Sequence, residues 1–238
     1  MKKKNGFTLA EVLVTLGIIG VIATIMLPAL NNAQPNKEMV MLKKAYYNVS
    51  RIVTELINDE DFYPERDEEN LSGFSNVTIS DQMGGDNNEA RFHGYVFSGE
   101  SKFCGLFAAK INTVQGGDPN DLCRDRVGLD AGGNFTTADG VVWSMPHGTF
   151  GRGGNEANGF EDIYVDVNGI NPGLPNCTRD VDTPMTTCPN GVGPDRFVIR
   201  VRRHGQIQIP SRIGQLYATS TRVNTPYAEF VQNNPDIE

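Results

Sequence analysis

Residues 7–30 form one apolar block, FTLAEVLVTLGIIGVIATIMLPAL, interrupted by a single charge at Glu11. No charged residue follows Glu11 until Lys37. At about 1.5 Å of rise per residue, a helix starting at Phe7 can reach across roughly 30 Å of hydrocarbon. The block therefore predicts a membrane-inserting helix. Lys2, Lys3 and Lys4 precede it and orient it, because basic flanks stay in the cytoplasm and send everything after the block outward.

A different pattern follows Pro28 and Pro35. Met39, Leu42, Tyr46, Val49, Val53 and Leu56 recur at spacings of three and four, and Lys43, Lys44, Asn48, Arg51 and Glu55 fall largely off that stripe. This predicts an amphipathic helix with one face to bury. Joined to the apolar block it makes a long N-terminal helix over about residues 7–58. That helix would be on the order of 75 Å long if continuous, with a bend or local unwinding between the prolines, which cannot sustain the helical hydrogen-bond ladder. The acidic run over residues 58–70 ends it and reads as a solvated connection. Short strand candidates follow at residues 75–80, 94–97, 140–144, 162–167, 197–203 and 206–209. The last two flank His204-Gly205, read as a two-residue hairpin turn. Alternation places Phe197, Ile199 and Val201 inward and Arg200 and Arg202 outward. The expected fold class is α+β, a long helix whose second half packs on an antiparallel sheet.

Beyond the helices about 175 residues remain, enough for one core. Abundant glycine (26) and proline (13) favour short strands and long loops over a helical bundle. The formal charge is −8, so the chain has no global attraction to nucleic acid or anionic lipid. Cys104, Cys123, Cys177 and Cys188 all lie on the side that the helix orientation places outside the cytoplasm, where an even count reads as two disulfides. Three pairings exist; proximity favours Cys104–Cys123 and Cys177–Cys188. No C-x-x-C spacing supports zinc.

Glu11 is a costly residue inside an apolar helix and asks for a partner or a purpose. Lys-Lys-Asn-Gly followed by Phe-Thr-Leu-Ala-Glu and the long apolar run closely resembles the class III signal of type IV pilins and pseudopilins. The resemblance implies cleavage by a membrane prepilin peptidase between Gly6 and Phe7, N-methylation of Phe7, and a role for Glu11 in assembly. Gly20 and Pro28 also sit where that family often has a glycine and a helix-bending proline. The implied layout is a leader over residues 1–6, a transmembrane and filament-core helix over 7–34, an amphipathic helix over 35–60 and a β-rich head over 61–238. The implied partners are other pilin subunits, the prepilin peptidase, an inner-membrane assembly machinery and membrane lipid. Loss of Lys2, Lys3 and Lys4 with the leader takes the side-chain charge from −8 to −11. The implied place is the cytoplasmic membrane, then a surface or periplasmic filament, and the head size tilts toward a minor or specialised subunit. The segments ADGVVW at 138–143, IYVDVNG at 163–169 and PDRF at 194–197 also resemble the strand and D-x-N-G turn of many pilin heads. A secretory signal peptide fits less well, since no small-x-small site follows the block. An uncleaved anchor carrying a binding domain is the rival reading.

Asp166, Asn168 and Asp195 can meet around one calcium ion, which takes six to eight oxygens. Ordinary turn chemistry of Asp and Asn is the favoured alternative, so no cofactor is expected. Arg200, Arg202, Arg203 and His204 form a dense basic cluster, but in so acidic a chain contact with DNA is not expected. The glycine-rich stretch at 148–155 lacks the phosphate-loop pattern. His93, His147 and His204 each precede a glycine and read as turn residues. Nothing assembles a nucleophile, base and orienting group, so no enzymatic role is expected.

Overall fold

The computed structural model describes residues 8–32, 36–63, 74, 89–123, 129, 133–145, 150, 159–169, 175–179, 185–190, 192–221, 227 and 232. The fold is α+β. Helix α1 spans Leu9–Asn32 and α2 spans Lys37–Ile57. A short hairpin follows, β1 (Ala90–Phe92) and β2 (Tyr95–Phe97), then a 3-10 turn running into α3 (Lys102–Lys110) and a second 3-10 helix at Pro119–Cys123. The main sheet contains β3 (Phe135–Thr136), β4 (Val142–Ser144), β5 (Phe160–Asp166), β6 (Arg196–Arg202) and β7 (Ile207–Gln208), and α4 (Arg212–Thr219) follows it. Its strands pair antiparallel in chain order, a simple meander.

The helix is helical through Pro28 and ends at Asn32. A new helix begins after Asn36, whose extended backbone and side-chain oxygen, accepting from the Met39 N–H at 3.0 Å, form a proper N-cap. The N-terminal rod is thus two capped helices and not one continuous helix. The α2 stripe buries Met39, Leu42, Val49, Val53 and Leu56 together with Ala45 and Ile52, while Tyr46 is half-buried.

That stripe packs over one face of the sheet, on Phe197, Ile199 and Val201 of β6 and Ile163 and Val165 of β5. Alongside, Tyr63, Phe74, Phe103 and Phe150 form a column of edge and stacked rings. The sheet's other face is covered too. Val142, Tyr164 and Val198 join Leu129 and Met185 in a second apolar cluster. This explains why β6 is buried at four successive positions, Arg196 to Ile199, where alternation alone predicts an open outer face. On that second face two cross-strand pairs bracket the cluster: Asp166 opposite Arg196, and Asp162 opposite Arg200.

Several expectations need correction. The β6–β7 turn has three residues, because Arg202 N–H bonds Gln206 O and Gly205 N–H bonds Arg202 O. Arg203 belongs to this turn, not to the strand, and is buried. Gly205 takes φ +79°, and a Cβ there would lie 2.8 Å from Ile57, so the turn seats its glycine against α2. This is the three-residue loop with a left-handed final residue. The two-residue turn occurs elsewhere, at His93-Gly94 between β1 and β2, with both residues at positive φ. In the acidic run, Phe62 and Tyr63 are buried, so its start is a packed corner and not wholly solvated. Residues 64–70, the strand candidate at 75–80 and His147 lie outside the described residues.

Candidate functional site

At the start of α1, Thr8 and Glu11 cap each other. Thr8 N–H and Thr8 Oγ donate to Glu11 Oε2 at 2.8 and 2.9 Å, and Glu11 N–H donates to Thr8 Oγ at 3.3 Å. This is a reciprocal capping box, which closes helix donors that would otherwise have no partner. The sequence contained the signal, Thr-x-x-Glu ahead of an apolar run, and the reading of Glu11 alone missed Thr8. Gly6 and Phe7 lie outside the described residues.

Around this cap α1 displays its apolar side chains to the outside. Leu9 is 81% exposed, and Leu13, Val14, Leu16, Ile18, Ile19 and Val21 are all exposed. Two further polar side chains turn back on the helix: Thr15 donates to Val12 O at 2.9 Å and Thr24 to Val21 O at 2.8 Å. Among the described residues no helix is long and apolar enough to cross a membrane. The stretch of α1 with every side chain described, residues 8–24, spans only about 25 Å.

The base of α2 is fastened to α4. Asn36, besides capping α2, shares a hydrogen bond with the buried Tyr217 hydroxyl, whose pKa is raised above the usual phenol range by burial, against that bond. Lys43 Nζ donates to Ser220 O at the C-terminal end of α4. Since α4 has no basic residue in its own last turn, Lys43 supplies from α2 the positive charge that a helix C-terminus favours.

Both local disulfides form, Cys104–Cys123 joining α3 to the 3-10 helix and Cys177–Cys188 closing a loop beside β6. Thr178 and Thr187 pair within that loop. Asp195 anchors it, taking the Cys177 N–H on Oδ1 at 2.7 Å and the Asn176 N–H on Oδ2 at 2.9 Å. Asp166 is near enough for the two charges to repel; burial and then Asp195 raise its pKa above the usual carboxyl range, opposed by Arg196. Arg196 Nε donates to Asp166 Oδ2 at 3.1 Å, with both side chains buried. Among the described residues, Asp166 Oδ1 and the Asn168 amide have no hydrogen-bond partner. The structure thus brings Asp166 and Asp195 together, but one has both oxygens engaged by backbone and a guanidinium already supplies positive charge. Among the described residues no three His, Cys, Asp or Glu side chains form a metal-holding group.

The basic cluster disperses on folding. Arg200 makes a two-pronged pair with Asp162 at 2.7 and 2.8 Å and lies over the Phe160 ring. Arg202 bonds Gln208, and Arg203 is buried. With Arg200 paired to Asp162 and Arg203 buried, the four residues do not form one exposed basic stripe.

Residues 1–27 match the family model of the prokaryotic N-terminal methylation motif. That motif is the class III signal peptide found in type IV pilins and pseudopilins. No curated protein and no solved structure matched the chain.

Proposed function

We propose that this chain is a structural subunit, minor or specialised, of a type IV pilus or a secretion-type pseudopilus. Its signal marks it as a pilin-like precursor. In the proposal the peptidase cuts between Gly6 and Phe7, Phe7 is N-methylated, and the precursor waits in the cytoplasmic membrane with its head outside. It is then extracted into a filament through α1. The observation that carries this reading is the contrast, among the described residues, between a helix whose apolar side chains are exposed and a head with a packed apolar core. In lipid, apolar helices gain little from one another; once extracted, their surface must be buried against neighbours. The self-contained hydrogen bonds of Thr8, Glu11, Thr15 and Thr24 support it, since polar groups away from water need internal partners. The capping box uses only Oε2 of Glu11, and Oε1 is open to a donor from a neighbouring subunit, for which the methylated Phe7 amine is suited.

The test combines processing and assembly. Intact-mass analysis should find a chain beginning at methylated Phe7, and replacing Gly6 with a bulky residue should leave the leader attached. Glu11→Ala should be processed and accumulate in the membrane but be depleted from sheared filaments. A mature chain beginning at Met1 would instead establish the uncleaved anchor.

A further inference from the structure

The hairpin tip, the C-terminal end of α3 and the start of the 3-10 helix enclose an open cavity of about 400 Å³, with His93, Tyr95, Lys110, Asn112, Thr113 and Pro119 among its walls. That is within the usual range for small-molecule sites, about 300–1,000 Å³. Its floor is the apolar end of α3, Ala108, Ala109 and Ile111.

Three features restrict what fits. The walls carry rigid ring faces: His93, held at φ +49° by the turn, stacks on Phe92 with ring centroids 3.9 Å apart and planes 17° apart, and Tyr95 is half-exposed with its hydroxyl tied to Gly117 O. The charge is cancelled, because Lys110 Nζ lies 3.3 Å from Glu55 and over the rings of Phe62 and Phe92. The uncommitted polar groups are planar and two-sided. The His93 imidazole and the Asn112 amide are exposed and make no side-chain hydrogen bond, and each offers a donor and an acceptor when neutral. A phosphate or carboxylate finds no free cation here. A purely apolar ligand leaves the amide and imidazole unpaired.

A ring with one C–H face and a rim of hydroxyls satisfies all three. We infer that this cavity binds the terminal neutral sugar of a glycan, a hexose or N-acetylhexosamine, with one face against His93 and Tyr95 and its hydroxyls on His93 and Asn112. The location suits exposure. Lys110 pairs with Glu55 near the far end of α2, about 28 Å along that helix from Asn36. The cavity is therefore remote from α1 and does not depend on the filament reading.

The test uses the full chain in a phosphocholine detergent, since sugar-headed detergents would compete. Methyl galactoside, methyl mannoside and N-acetylglucosamine are titrated while the His93 ring resonances are followed. At least one neutral sugar should shift them saturably, with a dissociation constant of about 1 mM or tighter. Asn112→Ala should weaken that binding about tenfold without changing thermal stability, and His93→Asn, which tolerates the left-handed backbone, should weaken it likewise when the Tyr95 ring resonances are followed instead. Glucuronate and glucosamine should bind more weakly. Glycoprotein glycans and bacterial polysaccharides, immobilised separately, then identify the source: capture on either that is lost in Asn112→Ala names it. No saturable shift with any neutral sugar, a shift indifferent to Asn112→Ala, equal binding of the charged sugars, or capture on neither surface overturns the assignment.

Discussion

Helices α1 and α2 follow each other within a few residues, yet they solve the problem of apolar surface in opposite ways. On α2 the apolar residues keep to a stripe, and Met39, Leu42, Ala45, Val49, Ile52 and Leu56 are wholly buried. Its polar face also works within the subunit: Lys43 reaches α4, Lys44 reaches Asp139 and Glu55 reaches Lys110. On α1 the apolar residues run all round, none of those described is buried, and the side chains of Glu11, Thr15 and Thr24 bond within their own helix and its cap. An amphipathic helix stabilises the domain that carries it. A uniformly apolar one with nothing packed on it must obtain its burial from lipid or from other molecules. Two adjacent segments thus differ in where their apolar surface lies, buried on α2 and exposed on α1, with the Asn36 cap at the start of the second.

The largest expected effect breaks the comparison directly. Leu42→Ala removes a wholly buried side chain between α2 and the sheet and should cost the head about 2–5 kcal/mol. Leu16→Ala, on the exposed surface of α1, should change head stability by less than about 0.5 kcal/mol. Urea denaturation of the full chain in micelles, followed by the fluorescence of buried Trp143, measures both. Similar losses would mean that α1 is part of the folded core after all.

Next in size is the Cys104–Cys123 bridge. It ties α3, which packs against α2, to a loop region with little regular structure. Replacing both residues with serine should cost about 3 kcal/mol on the loop-entropy estimate. Processing at the N-terminus should be unaffected, since the signal lies wholly within the first 27 residues. If the doubly substituted chain melts like the parent, the loops are held by packing alone.

What was legible in the sequence follows the same division. An unbroken apolar run exposed α1 and a spacing of three and four exposed α2, and proximity picked both disulfides because each loop is short. Helix α3 left no such trace: KFCGLFAAK is buried at seven successive positions from Lys102 to Ala108, so it has no polar face to set a period. Helix α4 did carry a signal, with Ser211 accepting from Gly214 N–H as an N-cap and Ile213 and Tyr217 on one face, but its brevity hid it among loop residues. The second apolar cluster depends on Leu129 and Met185, which lie outside the strands they cover, and alternation within a strand cannot anticipate a cover contributed from outside it. For the same reason the run of arginines at 200–203 read as a patch, although its cross-strand partner Asp162 lies 38 residues earlier.

The boundary itself can be sharpened. Asn36→Ala removes both the cap of α2 and the partner of Tyr217, and should cost about 1 kcal/mol. More telling is where the loss appears. Amide exchange should rise in the first turn of α2 while β5 and β6 stay protected, because the cap serves only the free donors of that turn. Tyr217→Phe should show the same pattern more weakly. Uniform deprotection across the sheet would mean that the α2 base and α4 unfold with the whole head.

The smallest effect concerns the polar face of α2 and depends on pH. Burial alone would raise the pKa of Asp139, but Lys44 Nζ at 2.8 Å, the Thr137 hydroxyl at 2.5 Å and the Val141 N–H outweigh it and hold the carboxyl below its usual value of 3.8. A carboxyl depressed in the folded state contributes stability above its unfolded value and loses it as pH falls through the folded one. Lys44 is about half exposed, so solvent screening limits the contribution to roughly 0.2–1 kcal/mol. Asp139→Asn should therefore be slightly less stable than the parent at neutral pH, with the gap closing as pH falls below about 3.8. In a Lys44→Met background the gap should be smaller at neutral pH, because the ammonium is one of the groups that depress the carboxyl. A gap that holds constant with pH would assign the loss to the Thr137 hydrogen bond and show that the charge on α2 adds nothing to the docking of this helix.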